Sequence, residues 1–298
     1  MSTRFMRGLV LALALLTIAV IAVGCGRPTG STGTGSGQSA SIQVKGSDTM
    51  VNLTQAWAEA YMQTHPEASI AVTGGGSGTG IAALLNGTTD IAISSRDIQD
   101  KEISQGRAKG IEPVESVVAL DGIAVIVNPA NKIARLNVDQ LSAIFTGKTV
   151  NWSEVGGTGK KIVALSRDRS SGTHVFFLEH VLRKGNEKGP EEYGNNVLLL
   201  PSSQAIVDEV AQSSDAIGYI GLGYLSSKVK DVAVAADKST VYVKPSVDTV
   251  RSKAYPISRS LLMYTNGAPQ GTVKAFIDFT VSPEGQKIVR EQGFVPVK

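Results

Sequence analysis

The chain has 298 residues, 42% hydrophobic and 18% charged, with 32 glycines, one cysteine, three histidines and a formal charge of +3. That length and apolar content exclude a disordered chain and suffice for two lobes that each bury a core. Removing Arg4 and Arg7 with a leader that holds no acid leaves 27 basic groups against 26 acidic ones, so no general electrostatic pull toward nucleic acid is expected. One cysteine excludes an internal disulfide, and with only His65, His174 and His180 beside it neither a zinc cage nor another cofactor site is expected.

Arg4 and Arg7 precede an apolar run from Leu9 to Val23, so residues 1–24 read as a secretory signal peptide. The run is marginal for a membrane span, which needs about 20 residues. Ala22-Val23-Gly24-Cys25 resembles a bacterial lipobox, where cleavage leaves Cys25 to be acylated, with a chain such as palmitate. An uncleaved helix anchor is the alternative, and in either case the folded part faces outward at a membrane surface. Residues 25–40 are rich in Gly, Ser and Thr and read as a flexible tether with a reach of roughly 20 Å.

From Ser41 onward short apolar runs alternate with amphipathic ones, the pattern of an α/β protein. Ser41–Lys45, Ser69–Thr73 and Asp90–Ile93 predict strands. Leu53, Trp57, Ala60 and Tyr61 mark one helix face, ended by Pro66, and Ile81, Leu84 and Leu85 mark another. Val117–Val127 is a long β-rich run, broken by Asp121-Gly122, that would carry the chain from one lobe to the other. A helix at Val138–Phe145, a strand at Lys161–Leu165, a helix from Thr173 to Arg183 and a strand at Ala216–Ile220 follow. Asp248–Tyr264 reads as strand, and Gly271–Thr280 with Pro283–Gln292 as closing helices. The expectation is two α/β lobes joined by extended crossovers.

Three strand-to-helix junctions are rich in hydroxyls and glycine: Gly46 to Thr49, Gly74 to Gly80, and Ser166 to Thr173. A fourth, Ser94-Ser95-Arg96-Asp97, also follows a strand. Helix N-termini offer free N–H groups and a positive dipole end, and Ser or Thr there either caps the helix or donates to a ligand oxygen. Four such loops, two with arginine, suggest a small anion held by many uncharged donors. Enzyme-like motifs are incomplete. Gly78-Thr79-Gly80-Ile81-Ala82-Ala83 fits a loose dinucleotide pattern, but Ser94-Ser95 stand where an acid is needed. Gly147-Lys148-Thr149 resembles the end of a phosphate-binding P-loop yet has Ser142 for its first glycine, and reads as a turn. The nucleophile elbow fails at Ser77, where Thr79 replaces the last glycine, and only His174 lies near a hydroxyl cluster.

Gly46-Ser47-Asp48-Thr49-Met50, the Gly-rich loop around Ser77, Asp90 to Arg96, Ile144 to Lys148 with Asn151-Trp152, and Ser170-Ser171-Gly172-Thr173 occur in this order. Ala216-Ile217-Gly218-Tyr219 and Ser282 to Gln286 continue the set. Together, from Ser41 to Lys298, they resemble the phosphate-binding lipoproteins of bacterial Pst phosphate ABC transporters. The resemblance implies a type II periplasmic-binding-protein fold, two α/β lobes with a ligand cleft between them and a hinge closure. Residues 41–122 with about 252–298 would form the first lobe, and about 123–251 the second. It implies a monomeric, lipid-anchored extracytoplasmic receptor, not an enzyme, that binds inorganic phosphate and delivers it to a membrane permease.

Carried over residue by residue, the ligand would meet Ser47, Asp48, Thr49 and Met50, then Ser77 and Gly78, then Ser94 and Ser95 with Arg96 beside them, from the first lobe. Arg167, Ser171, Gly172 and Thr173 would meet it from the second. Arg167 would be the direct cation, since a guanidinium binds two oxyanion oxygens at once; an ion pair with Asp168 or another residue of its lobe is the alternative. Known members carry an aspartate where Ser95 and Arg169 stand here, and those carboxylates accept the proton that phosphate keeps and sulfate lacks. Asp48 is the nearest candidate to replace them, either as that acceptor or as the N-cap of the helix at Met50. Sulfate or molybdate would suit the same neutral donors. A secreted phosphoester hydrolase would need a metal cluster or an activated nucleophile that the sequence does not offer.

Overall fold

The chain lays out alternating strands and helices from Ala40 onward. The structure, a computed structural model, describes residues 40–186, 188–236 and 239–297; the predicted leader, Cys25 and the tether as far as residue 39 lie outside the described residues, and Ala40, placed at the tether's end by the sequence, opens the first strand. In order come β1 (Ala40–Gly46), a 3-10 turn (Asp48–Met50), α1 (Val51–Thr64), β2 (Ala68–Thr73), α2 (Ser77–Leu85), β3 (Ile91–Ser94), α3 (Asp100–Arg107) and β4 (Pro113–Val127). Then follow β5 (Arg135–Asn137), α4 (Val138–Phe145), β6 (Val163–Arg167), α5 (Gly172–Phe177), β7 (Leu198–Leu200), α6 (Ser203–Gln212) and β8 (Ala216–Gly221). The chain closes with β9 (Lys230–Asp231), β10 (Ala233–Ala235), α7 (Val247–Arg251), β11 (Ser258–Asn266), α8 (Gly271–Thr280) and α9 (Pro283–Glu291). Among the described residues no helix is long and apolar enough to cross a membrane.

One sheet runs in the order β2-β1-β3-β11-β4-β8-β6-β7. Its centre is β4, which changes partner part-way: Pro113 to Gly122 pair antiparallel with β11, and Ile123 to Val127 pair antiparallel with β8. The second stretch is buried on both faces, as a strand covered by helices on two sides must be, whereas Glu115 and Val117 of the first are exposed. Ile123, Val125 and Val127 join a core with Leu141, Phe145, Phe177 and Tyr219, whereas the alternate Ala124 and Ile126 join Leu165, Ile206, Val207 and Val210 on the other face. A separate core packs β1, β3 and β11 against α1, α8 and α9, through Val44, Leu53, Trp57, Ile93, Leu261, Phe276 and Val289.

Local chemistry explains the limits of several elements. Asn137 and Gln140 form a capping box at the start of α4, and Pro283 occupies the first turn of α9 behind the Ser282 cap. The predicted strand over Asp248–Tyr264 is half correct. Its first residues belong to α7, whose Ser246 side chain accepts from the Thr249 N–H, and only Ser258 onward is strand. The break predicted at Asp121-Gly122 is absent, because β4 continues by exchanging one ladder partner for another there. The helix predicted from Thr173 to Arg183 changes hand-hold midway: after Phe177 it continues as a π-helical turn, with Arg183 N–H on the Leu178 carbonyl at 2.9 Å.

Candidate functional site

The loops after β1 and β3 and the N-terminus of α2 converge because their strands are parallel neighbours, so their C-terminal ends point one way. Three buried serines meet there. Ser47 Oγ donates to Ser95 Oγ at 2.8 Å, Ser95 N–H donates to Ser77 Oγ at 3.0 Å, and Ser77 and Ser95 hydroxyls lie 3.4 Å apart.

The loop from β6 to α5 meets this cluster from the other side. Asp168 Oδ1 organises it by accepting from Ser170 N–H, Ser170 Oγ and Ser171 N–H at 3.0, 2.6 and 3.1 Å. Ser171 caps α5, its Oγ accepting from the His174 N–H at 3.4 Å. Contacts between the two halves are then direct. Thr49 and Thr173 hydroxyls lie 2.8 Å apart, Gly78 N–H donates to the Ser170 carbonyl at 3.0 Å, and Ser170 Oγ donates to the Gly75 carbonyl at 3.0 Å. Gly172 is in the closest contact: a Cβ there would stand 2.2 Å from Ser77 Oγ and 2.8 Å from Ser95 Oγ.

Two charges cross between the halves. Arg167, 1% exposed at the end of β6, pairs with Asp48 at 3.1 Å. Its Nη1 also donates to Ser203 Oγ at 2.9 Å and its Nη2 to the Pro201 carbonyl at 2.8 Å. Asp48 Oδ2 further accepts from Ser203 N–H and Oγ at 2.9 and 3.0 Å, and Tyr224 Oη donates to the Asp48 carbonyl at 2.9 Å. The N-cap alternative for Asp48 is therefore overturned, as is the Asp168 partner for Arg167. Ser47 precedes the 3-10 turn without a side-chain cap, and the Asp48 carboxylate is drawn to the guanidinium instead. Among the described residues, Arg167 Nε and Arg96 Nε are buried with no acceptor. In a buried place such orphan donors cost more than surface ones, and an oxyanion satisfies them.

Of the residues the sequence singled out, Ser47, Thr49, Ser77, Ser95, Gly172 and Thr173 come together as one hydroxyl-lined junction, with Gly78 and Ser171 at its edge. Three do not behave as expected. Met50 N–H bonds the Ser47 carbonyl at 3.0 Å to close the 3-10 turn, and Ser94 Oγ donates to the Arg96 carbonyl at 2.6 Å. Arg96 has both Nη groups on Glu102, at 2.8 and 2.7 Å. Ser170, Ser203 and Tyr224 were missed. Pro201-Ser202-Ser203 ahead of Ile206, Val207 and Val210 is a helix-start signal that could have pointed to Ser203.

His174 belongs to a buried layer below this junction. Its Nδ1 lies 3.0 Å from Ser166 Oγ, which sits 2.5 Å from Tyr219 Oη, and its ring stacks on Tyr193 at 4.3 Å. Burial lowers its pKa to about 4 and pushes that of Tyr219 up to about 12. Below pH 6.5 the unfolded chain takes up a proton on His174 that the folded chain refuses until about pH 4. Stability is thus lost as the pH falls through that window, by about 3 kcal/mol at most. Urea unfolding at pH 7, 5.5 and 4 is expected to show this slope, and His174→Gln to flatten it. An equally steep slope in the variant would contradict the assignment.

A sheet whose middle strand serves two cores, with hydroxyl loops from both halves facing each other, is the build of a two-lobed solute receptor. The family model for the PBP superfamily domain matches residues 31–284, and the fold is the two-lobed type II periplasmic-binding-protein fold. The chain is 33% identical over 269 residues to the phosphate-binding protein PstS of Pseudomonas aeruginosa, covering 85% of this chain and 81% of that one. It is 36% identical over 258 residues to PstS of Bacillus subtilis, covering 86% and 81%. Among solved structures, a proposed phosphate ABC transporter substrate-binding protein of Clostridium perfringens with bound phosphate is 33% identical. It superposes with a TM-score of 0.77 over 87% of this chain and 100% of that one. An ABC-type phosphate transport receptor of Vibrio cholerae gives 30% identity and a TM-score of 0.68 over 85% and 99%. The chain belongs to the PstS family of phosphate-binding proteins, which are substrate-binding receptors and not enzymes.

Proposed function

We propose that this chain is the extracytoplasmic receptor of a phosphate ABC transporter, closing around inorganic phosphate and presenting it to the membrane permease. The observation that carries the reading is the meeting of Thr49 with Thr173, and of Ser77 and Ser95 with Gly172, beside a buried arginine whose Nε lacks an acceptor among the described residues. These hydroxyls bond one another with one proton per pair. A tetrahedral anion offers each of them a stronger, charge-assisted acceptor and at the same time takes the orphan N–H. Because the donors come from both halves, the anion favours the closed form by the difference in bonds between closed and open. The change of β4 from β11 to β8 at Gly122 and Ile123 supports lobes at 41–122 with about 252–298, and at about 123–251.

Asp48 is the acceptor for the proton that phosphate carries. Among the described residues the hydrogen bonds and ion pair of its carboxylate fall on Oδ2, which leaves Oδ1 for that proton. Asp48→Asn is expected to narrow the preference for phosphate over sulfate about tenfold, as loss of one charged hydrogen bond would; an unchanged preference in a competition titration contradicts this role. A lipid on Cys25 holds the receptor, as a monomer, at the outer face of the membrane. Expressed in cells that lack their own receptor, the full chain is expected to restore uptake of labelled phosphate, and Cys25→Ala to release the protein from the membrane. Exported protein that restores no uptake would contradict the transport role.

A further inference from the structure

Where β4 leaves β11 for β8, two buried charges face each other. Asp121 and Arg259 are register partners on β4 and β11, with side chains 0% and 1% exposed. Asp121 Oδ2 accepts from Arg259 Nε at 3.0 Å and from Nη2 at 2.7 Å, and Oδ1 accepts from the Leu222 N–H at 2.9 Å. The remaining nitrogen, Arg259 Nη1, donates to the Ser95 carbonyl at 2.8 Å. One chain of bonds therefore runs from a loop of the first core, through both strands at the crossing point, to the residue that follows β8. Beside it, a Cβ on Gly221 would stand 2.8 Å from Thr49 Cγ2 and 3.0 Å from Asp121 Oδ2, so the missing side chain lets Thr49 and the carboxylate approach the same point.

A buried ion pair contributes little to stability compared with apolar side chains of similar volume, so its presence calls for another reason. Every polar group of Ser95 is committed: its carbonyl to Arg259, its N–H to Ser77 and its hydroxyl to Ser47 and Ser77. An uncommitted carbonyl in this loop would show its negative end to an incoming anion and compete for the same hydroxyl protons. Arg259 removes that competitor, and Asp121 cancels the charge of Arg259, so the peptide is oriented without adding general attraction for anions.

Resting on the phosphate reading, we propose that Asp121 and Arg259 are positioning residues for anion recognition. They fix the Ser95 peptide and tie it to Leu222 and Gly221 under Thr49, so that the donors of both lobes are set as one unit. The test compares the wild-type full-length chain with Asp121→Leu/Arg259→Met and with Arg259→Lys. Each is titrated calorimetrically with sodium phosphate, alone and against excess sulfate, with circular dichroism as the check on folding. The double variant removes both charges together. Arg259→Lys keeps the charge opposite Asp121 but has one nitrogen, too few to serve both the carboxylate and the Ser95 carbonyl.

Both variants are expected to keep the wild-type dichroism, to bind phosphate about ten- to hundredfold more weakly and to show a lower phosphate-over-sulfate ratio. Should the double variant fail to fold, Arg259→Lys decides alone. Wild-type affinity in the variants, or an equal loss for both anions with the ratio kept, overturns the proposal and leaves the pair a structural role only. No heat from the wild-type chain with phosphate removes the phosphate reading itself, and this proposal with it.

Discussion

Replacing Arg167 with alanine is expected to weaken phosphate binding by about a hundredfold or more. Two effects act in the same direction. The substitution removes the buried cation, whose Nε has no acceptor among the described residues, and a charge-assisted bond of that kind is worth about 1.5–3 kcal/mol. It also leaves the Asp48 carboxylate, 3.1 Å from the guanidinium in the intact protein, as an uncompensated negative charge beside an anion. Arg167→Lys should recover only part of the loss. A single ammonium cannot face Asp48, Ser203 Oγ and the Pro201 carbonyl as the planar fork does. Because Asp48 is 24% exposed on its side chain, water relieves some of the cost and the variant should still fold. Calorimetry with thermal melting checks both points; an affinity within about threefold of wild type would show that the guanidinium serves only its partners within the protein, Asp48, Ser203 and Pro201.

Gly172→Ala should abolish tight binding for a different reason. At the first turn of α5, alanine is the better helix former, so the lobe that carries it is not harmed. The new methyl would stand 2.2 Å from Ser77 Oγ, 2.9 Å from Ser77 Cβ and 2.8 Å from Ser95 Oγ. These contacts are all with the opposite half, so the clash opposes closure and not folding. The variant is expected to melt at the wild-type temperature, to lose at least about a hundredfold in affinity, and to remain at the larger, open radius in small-angle scattering when phosphate is added. Wild-type affinity with normal compaction would mean that the two halves do not meet at this residue.

Much of the scaffold is legible in the sequence, for local reasons. α4 and α8 keep the limits their apolar periodicity predicts, and α4 carries its own capping box at Asn137 and Gln140. The donor loops are legible too, since one run of Ser, Thr and Gly after a strand serves as a helix cap but four in one chain, two with arginine, exceed what capping needs. What hides is whatever depends on partners far along the chain. Asp48 reads equally well as a cap until Ser203, 155 residues away, and Arg167 take its carboxylate. Asp121 sits in a strand run that reads as crossover, and its partner Arg259 lies 138 residues further on, with no spacing rule to join them. Bonds to near neighbours hide for the opposite reason: the Ser47 and Arg96 carbonyls take the Met50 N–H and the Ser94 hydroxyl, which no pattern of residue types foretells.

The meeting of neutral hydroxyls with one buried arginine is a phosphate site only if the protein prefers phosphate to an anion of the same shape. The most direct measurement is a calorimetric titration of the full chain with phosphate, repeated in a large excess of sulfate. One-to-one binding that persists in sulfate is the predicted result. Absence of heat with phosphate, or binding that sulfate abolishes, would contradict it.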